Sequence, residues 1–420
     1  MDDLRHADLR QAIGAAEDEI FRRFVHPRFG FLLDYAGRNG EADFPDAADM
    51  QACRPNAMAW WTPVENGAFF TGLMLAGLSG RPEAWRRPQT VDRARGLARA
   101  LMRLGTVGER PGFIARSIAE DGRSHPPVGS DDQTSPWLYG FWRYLNSGIP
   151  TAEERETITG AMIGLCRALM ETGWSMPCDA GPGFGYRGNW AHFNFVHAPR
   201  LLFAHRIMAE LDSANRDHWL RLYAERLHER DNNKGPSRLE LCARGALYGN
   251  PGSWIGYPDN PPFWISATAQ AGLAEMAALE TDPAIAQMFR AGLRANGEAA
   301  LHYISQHRWF DNDEPTAYRL DWRGLNAHWQ EQPDIDTALA VANRQRLDWF
   351  RSNPRKIYEE HLMREPLWAG WIALLSGDAD VVARATPLIR AAVQHYRWER
   401  LYSGAFFVTA LYPMGLAEAL

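Results

Sequence analysis

The sequence predicts an all-α protein with the architecture of an (α/α)6 toroid, a ring of six helical hairpins. Three observations lead to this prediction: apolar residues recur with helical periodicity, two kinds of helix alternate along the chain, and short connections alternate with long ones. A helix that is apolar on nearly every side is buried, whereas an amphipathic helix covers such a core. Six inner helices therefore alternate with six outer helices.

The predicted helices follow one another in a regular order that starts with an outer helix. The amphipathic outer helices are predicted at residues 9–25, 91–104, 153–171, 216–229, 283–304 and 380–396. The inner helices, which are apolar and rich in Gly and Ala, are predicted at residues 65–78, 135–145, 193–211, 265–279, 367–375 and 405–419. An irregular α-solenoid is the alternative arrangement for the same periodicity.

The connections between these helices indicate where function lies. Each inner helix leads to its outer successor through a short turn such as NSGIP or SGD. Nearly every outer helix leads to the next inner helix through a long polar stretch, and such loops are unusual in a compact domain unless they have a function. We expect these long loops to form a funnel at the N-terminal ends of the inner helices. Residues 1–420 are predicted as a single domain, with an insertion around 305–365 that contains its own helix.

The composition is that of a globular protein with a large core, since 46% of the 420 residues are hydrophobic and 23% are charged. The formal net charge is −6 and the basic residues are scattered, which argues against a nucleic-acid partner. The longest apolar stretch, FFTGLMLAGL, is about half a membrane span, and the first residues lack a signal-peptide pattern. We therefore expect a cytoplasmic protein without a membrane partner, and a homo-oligomer stays open.

Several reaction classes lose support because their motifs are missing from the sequence. It contains no HExxH, P-loop, GxSxG or strand-linked GxGxxG pattern, and its four cysteines show no CxxC spacing. We expect free thiols, no metal and no cofactor. Aromatic residues make up 12% of the chain, and many adjoin Gly, Pro, Asn or His. That arrangement suits stacking against sugars as well as ordinary core packing.

Acidic residues lie at the predicted starts of the first two inner helices. WWTPVENGAFF places Glu65 and Asn66 in the first turn of the first, and GSDDQTSPWLYGFW places Asp131, Asp132 and Gln133 at the entry to the second. Neighbouring helices pack ~8–10 Å apart, so these acids are expected to face one ligand. Two carboxyl groups across a pocket supply the proton donor and the base or nucleophile of glycosidic chemistry. The alternative is that an aspartate only caps its helix.

We predict Asp131, Asp132 and Glu65 as the catalytic residues, and burial among aromatic side chains would raise the pKa of one of them toward neutrality. Arg116, on the loop before the second inner helix, is placed to bind the carboxylate of an anionic sugar, unless it only forms a surface salt bridge. A third stretch, YRGNWAHFNFVHAPR, precedes the third inner helix. The predicted substrate-binding residues are Asn66, Arg116, Gln133, Trp61, Trp190, His192, Asn194, His197, Trp254, Trp264, Trp322 and His328.

The chain resembles the six-hairpin glycosidase superfamily, and within it the unsaturated glucuronyl and rhamnogalacturonyl hydrolases and related β-glucuronidases. The resemblance rests on ENGAFFTG at the first inner helix, SDDQTSPWLYGFWRYL at the second, and the alternation of short turns and long loops over nearly the whole chain. In the unsaturated uronyl hydrolases an acidic residue begins each of these helices, and the later one donates the proton. The resemblance implies Asp131 or Asp132 as the proton donor, Glu65 as its partner and Arg116 as the contact for a uronate carboxylate.

One departure from that family bears on the reaction. Val64, Glu65 and Asn66 stand where the family has a His-Asp opening, so hydration of a 4,5-unsaturated uronide and hydrolysis of a saturated glucuronide both stay open. The expected function is a glycoside hydrolase that removes a terminal uronic acid from short, anionic oligosaccharides. The alternatives are a sugar epimerase or isomerase of the N-acylglucosamine 2-epimerase type with paired histidines, a uronate lyase, and a non-catalytic sugar-binding toroid.

Overall fold

The computed structural model describes residues 5–6, 8–245, 263–307, 313, 318–319, 321–325 and 327–416. Within these residues the chain is predominantly helical, as the sequence predicts. The α-helices are α1 (Leu9–Arg23), α2 (Ala47–Ala52), α3 (Gly67–Ser79), α4 (Thr90–Thr106), α5 (Asp131–Leu145), α6 (Ala152–Glu171), α7 (His197–Leu211), α8 (Arg216–His228), α9 (Arg238–Arg244), α10 (Phe263–Leu279), α11 (Pro283–Ser305), α12 (Ile335–Ser352), α13 (Pro354–Glu359), α14 (Glu365–Leu375), α15 (Ala379–His395) and α16 (Tyr412–Leu416). Two short strands, β1 (Ser175–Pro177) and β2 (Tyr186–Asn189), pair antiparallel.

Burial separates the long helices into two kinds. All thirteen residues of α3 and ten of the eleven residues of α14 are buried. By contrast, five of the twenty residues of α6 and five of the seventeen residues of α15 are buried. A helix with almost no charged side chain can be surrounded by protein, whereas an amphipathic helix turns its charged face to solvent. α3 and α14 therefore belong to the core, and α6 and α15 cover it.

Six buried segments contact one another in chain order. α3 packs against α5, α5 against α7, α7 against α10, and α10 against α14. The sixth segment is a 3-10 helix, Gly404–Leu411, which continues into α16 and packs against both α14 and α3. The amphipathic helices lie beside these segments: α4 contacts α3 and α5, α6 contacts α5 and α7, and α11 contacts α10 and α14.

The region before α7 differs from the sequence prediction. α7 begins at His197 instead of residue 193, because the side-chain oxygen of Asn194 accepts a hydrogen bond from the backbone N–H of His197 at 3.0 Å. Such local side-chain bonds compete with helix formation. Nothing in the sequence predicts β1 and β2, since strands of three or four residues are too short to display alternation. The hairpin packs β2 against α5 and so brings residues 186–189 to the predicted acids.

The last part of the chain also departs from regular α-helix. The inner helix predicted at residues 405–419 is divided between the 3-10 segment and α16, and residues 417–420 lie outside the described residues. The predicted insertion contributes α12, α13 and a π-helical turn, Glu360–Arg364, that leads into α14. None of the described helices combines the length and the apolarity needed to cross a membrane.

Candidate functional site

The two acidic motifs lie at the starts of α3 and α5. Glu65 and Asn66 directly precede α3, and α5 begins at Asp131 with Ser130 in the N-cap position. Neither aspartate is therefore the N-cap of α5. The side chains of the three predicted catalytic acids, Asp132 among them, are 15 to 18% exposed. Each of these side chains is therefore mostly surrounded by protein and keeps a small part exposed to solvent.

Arg116 joins acids from both helix starts. Its guanidinium is almost fully buried, with Nη1 4.0 Å from Glu65 Oε1 and Nη2 3.5 Å from Asp132 Oδ1. Nε donates to the carbonyl of Val128 at 3.1 Å, and Nη2 donates to Ser130 Oγ at 2.7 Å. The hydroxyl of Ser130 donates in turn to Asp132. Because all three guanidinium nitrogens contact protein atoms, the geometry favours a role for Arg116 in orienting the acids over a role in binding a ligand.

Asp131 is held by two basic side chains. Its Oδ2 accepts a hydrogen bond from Arg200 Nη1 at 2.5 Å and lies 3.2 Å from His197 Nε2. Burial on its own would raise the pKa of Asp131, but the hydrogen bond of His197 and the charge of Arg200 outweigh it and hold this pKa well below its usual range. Gly188 of β2 covers the other oxygen, since a Cβ at this position would lie 2.5 Å from Asp131 Oδ1. Glycine at φ +85° therefore allows β2 to approach the acid.

Asp34, which is not among the predicted site residues, is a buried carboxyl group with a raised pKa next to Glu65 and Asn66. It is 4% exposed and accepts hydrogen bonds from Asn66 N at 2.7 Å and Asn66 Nδ2 at 2.6 Å. Burial and, after it, the negative charge of Glu65 raise the pKa of Asp34 to about 8. Asn66 Oδ1 accepts from Gln133 Nε2 at 3.0 Å, and Gln133 is fully buried. These two amides, predicted to bind substrate, connect Asp34 to α5.

The third motif lies beside Asp131. His197 turns Nε2 toward this acid, and its Nδ1 lies 2.8 Å from Asn194 Nδ2. The ring of His192 is edge-on to the ring of His197, with 5.5 Å between the centroids. His197 thus contacts a predicted catalytic acid directly, and His192 and Asn194 contact His197.

The tryptophans predicted to line sugar subsites are mostly internal. Trp61, Trp190 and Trp322 are at most 1% exposed, so their rings pack within the protein and present no open face to a ligand. Trp264 is half-buried and lies edge-on to Phe69 with 5.8 Å between the ring centroids. We therefore retain Trp264 as a candidate wall of the site and assign the other three to the packing of the loops.

Two further predicted binding residues have no described contact with the acids. Trp254 lies outside the described residues. His328 belongs to the insertion, where its Nε2 lies 2.5 Å from Asp348 Oδ2 of α12. Both side chains of this pair are more than 30% exposed, so the pair forms part of the solvated surface.

The structure brings two basic residues and one acid to the site that the sequence analysis does not predict. On α7, Arg200 lies three residues after His197, a spacing that puts both side chains on one face of a helix. This spacing could have indicated from the sequence that Arg200 lies near the site. Arg187 is the second residue of β2, a strand too short to be predicted. Asp34 could also have been identified from the sequence, because it is a lone acid within the apolar stretch FLLDYAG. A charge in such a stretch needs a partner or a shifted pKa.

A second polar cluster lies at the start of α14. The hydroxyl of Tyr35 donates to Glu360 Oε1 at 3.0 Å, and Lys356 Nζ lies 2.5 Å from the same oxygen. Burial lowers the pKa of Lys356 to about 7 despite this partner. Glu365 accepts from the backbone N–H of Phe263 at 3.1 Å and so connects α14 to α10. Ionisable groups therefore lie at the starts of several of the buried helices.

An open depression of about 920 Å³ has none of the three predicted catalytic acids in its lining. Its lining includes Met50, Arg103, His125 and Asp179. His125 Nε2 is 3.0 Å from Asp179 Oδ2, and the same Asp179 oxygen accepts a hydrogen bond from the backbone of Glu109. The polar groups at this place are thus partnered with one another.

Among the described residues, no group of three or more His, Cys, Asp or Glu side chains is arranged to hold a metal ion. No protein-family model matches the sequence, and no curated protein matches it either. Function is therefore inferred from the residues and their geometry.

Proposed function

We propose that this protein is a glycoside hydrolase that removes a terminal uronic acid, saturated or 4,5-unsaturated, from short oligosaccharides. The proposal rests on one observation: Glu65 and Asp132, from the starts of two neighbouring helices, approach the same guanidinium group of Arg116 and are both partly open to solvent. Their carboxylate oxygens are consequently within about 10 Å of each other. This bound includes the separations used by retaining and inverting glycosidases, about 5–5.5 Å and 6.5–9.5 Å.

We also propose that the buried segments close into an (α/α)6 toroid of the six-hairpin type. The support is the order of contacts, which runs through α3, α5, α7, α10 and α14 to the Gly404–Leu411 segment and back to α3. In such a ring the starts of the inner helices share one end. That arrangement accounts for the contacts that Asp131 makes with α7 and that Glu365 makes with the start of α10.

The three acids receive different roles in this proposal. Asp132 donates a proton to the leaving oxygen, and Glu65 activates the water or attacks the sugar. Asp131 stays ionised because His197 and Arg200 hold its pKa low, and an ionised carboxylate is a poor proton donor. We assign to Asp131 the electrostatic stabilisation of the positive charge that develops on the sugar ring in the transition state.

A sugar epimerase with paired histidines is the second candidate. The observation that favours it is the pair His192 and His197, whose rings lie 5.5 Å apart beside Asp131. Proton abstraction and return by two such groups would isomerise a reducing sugar without cleaving a glycosidic bond. Incorporation of solvent deuterium into N-acylglucosamine, with no release of an aglycone, would identify this activity.

The test is turnover of a panel of uronyl-terminated disaccharides, saturated and unsaturated, by the parent protein and three variants. We expect Asp132→Asn and Glu65→Gln each to lower kcat by roughly 10²–10⁴-fold, the usual contribution of a general acid or base. Glu153→Gln, which changes an exposed acid in the first turn of α6, should leave kcat unchanged.

Folded Asp132→Asn and Glu65→Gln variants with full turnover would remove both acids from the mechanism. Ultraviolet absorbance that appears with a saturated substrate would indicate a lyase instead, since elimination creates a new double bond. Binding of the disaccharides without any turnover by the parent protein would indicate a sugar-binding protein.

A further inference from the structure

Arg187 lies beside the acid cluster without sharing in its ion pairs. It belongs to β2, adjacent to the Gly188 backbone that covers Asp131. The neighbouring carboxylates are already engaged, Asp131 with Arg200 and Asp132 with Arg116. Within the described part of the chain, Arg187 Nη1 is shielded from solvent and has no hydrogen-bond partner. A buried cationic donor without a partner is costly, and such a group normally has an anion to bind.

Arg187 lies near a second arginine as well as near the three acids. Its guanidinium lies 5.3 Å from the ring centre of Trp60, and the guanidinium of Arg116 lies 5.8 Å from the same ring. Burial and, after it, the charge of Arg116 lower the pKa of Arg187 to about 10, so the group remains cationic at neutral pH. The indole ring fixes one side of the guanidinium. The unpaired Nη1 of Arg187 is consequently held in place before any ligand binds.

The other two arginines of the cluster already use both terminal nitrogens of their guanidinium groups. Arg116 uses all three guanidinium nitrogens on protein atoms, and Arg200 uses Nη1 on Asp131 and Nη2 on Thr268, with only its buried Nε unpaired. A ligand carboxylate would have to displace a partner to take a two-pronged bond from either of them. At Arg187 it would gain a charge-assisted bond and displace none.

We propose that Arg187 is the residue that recognises the carboxylate of the substrate's terminal sugar and so determines specificity for uronic acids over neutral sugars. This inference rests on the proposed function, because it concerns the same site. A neutral hexose in the same position would leave the Arg187 donor unpaired and would bind less well. Arg116 then orients the acids, whereas Arg187 selects the ligand.

The experiment compares Arg187→Gln and Arg187→Lys with the parent protein on two matched pairs of ligands. Turnover is measured with 4-nitrophenyl β-glucuronide and 4-nitrophenyl β-glucoside, and calorimetry measures binding of glucuronate and glucose. For Arg187→Gln we expect a roughly 10- to 100-fold loss in kcat/KM and affinity for the uronyl ligands, the size of one charge-assisted bond, and little change for the neutral ones. Arg187→Lys keeps the charge but loses the planar fork, so a smaller loss is expected.

Arg123→Gln is the matched control, since it removes the same charge from an exposed arginine near the same loops. An unaltered ratio of uronyl to neutral activity or affinity in folded Arg187→Gln would overturn the inference, as would an equal loss in Arg123→Gln.

Arg187-dependent glucuronate binding in a protein that hydrolyses no glycoside would refute the proposed hydrolase and keep the anion site. Hydrolysis of uronides with unchanged selectivity in both variants would refute the role of Arg187 and keep the hydrolase. A parent protein that neither binds nor cleaves uronyl ligands would overturn both.

Discussion

Asp34, which is buried, and Asp131, which is partly exposed, are carboxyl groups of one cluster with opposite protonation states. Asp131 contacts Arg200 and His197, and these basic partners favour its ionised form. Asp34 accepts hydrogen bonds from Asn66, which favour its ionised form, but burial and the negative charge of Glu65 outweigh them and favour its neutral form. The cluster thus contains a permanent anion and a carboxyl group that keeps its proton at neutral pH.

We predict that Asp34 makes the folded protein less stable as the pH rises. Its pKa is about 8 in the folded protein against 3.8 for an ordinary aspartate, so at pH values between these two the folded state retains a proton that the unfolded state has released. The stabilising contribution is complete below about pH 4 and is lost as the pH rises through about 8, at no more than about 1.4 kcal/mol per pH unit. Thermal melting from about pH 5 to 8 should show a decline in Tm that is shallower in Asp34→Asn. The control variant Glu153→Gln should keep the parent slope, and the same slope in Asp34→Asn would refute the assignment.

At the scale of elements, the contact between α3 and α5 determines where the acids lie. A Cβ at Gly72 would be 2.2 Å from the carbonyl oxygen of Pro136, and a Cβ at Gly140 would be 2.4 Å from the carbonyl oxygen of Gly72. The two helices therefore touch backbone to backbone, with no room for a side chain between them. Because Glu65 and Asp132 lie at the starts of these helices, this contact fixes how far apart they are.

Gly72→Ala is therefore predicted to lower both stability and activity. The new methyl group would separate α3 from α5 at a cost of about 1–3 kcal/mol, the range for an overpacked core. Gly160→Ala is the matched control, because Gly160 is exposed in the middle of α6 with open space around it. That substitution should stabilise the protein by roughly 0.5–1 kcal/mol. Urea unfolding and uronide turnover measure the two effects, and a Gly72→Ala variant as stable and active as Gly160→Ala would disprove the close contact.

The sequence predicts elements better than it predicts partners. The helical nature of the chain follows from apolar periodicity, which is a local property. The acids at residues 65, 131 and 132 could be identified because they lie at the starts of apolar helices. The neighbours of Asp34 and Arg187 depend on contacts between residues far apart in the chain, which one sequence does not specify. α7 begins later than the apolar pattern predicts because the hydrogen bond from His197 N–H to Asn194 competes with the helix.

At the scale of the whole molecule, distant segments supply one charged cluster. The chain as a whole has a formal net charge of −6. The cluster instead brings three arginines, Arg116, Arg187 and Arg200, to three partly exposed acids from α5 and the start of α3. The contacts in the structure pair these acids with Arg116 and Arg200, which leaves Arg187 for a ligand that carries one negative charge. A neutral sugar would leave Arg187 without a partner, and a polyanion would bring more negative charge than this arginine can pair.

The most direct test of the central claim is a crystal structure of the Asp132→Asn variant with a uronyl disaccharide bound. We predict the sugar carboxylate on the guanidinium of Arg187 and the glycosidic oxygen between residue 132 and Glu65. A disaccharide bound at the depression lined by Arg103 and His125, with no sugar beside Glu65 and residue 132, would contradict the account.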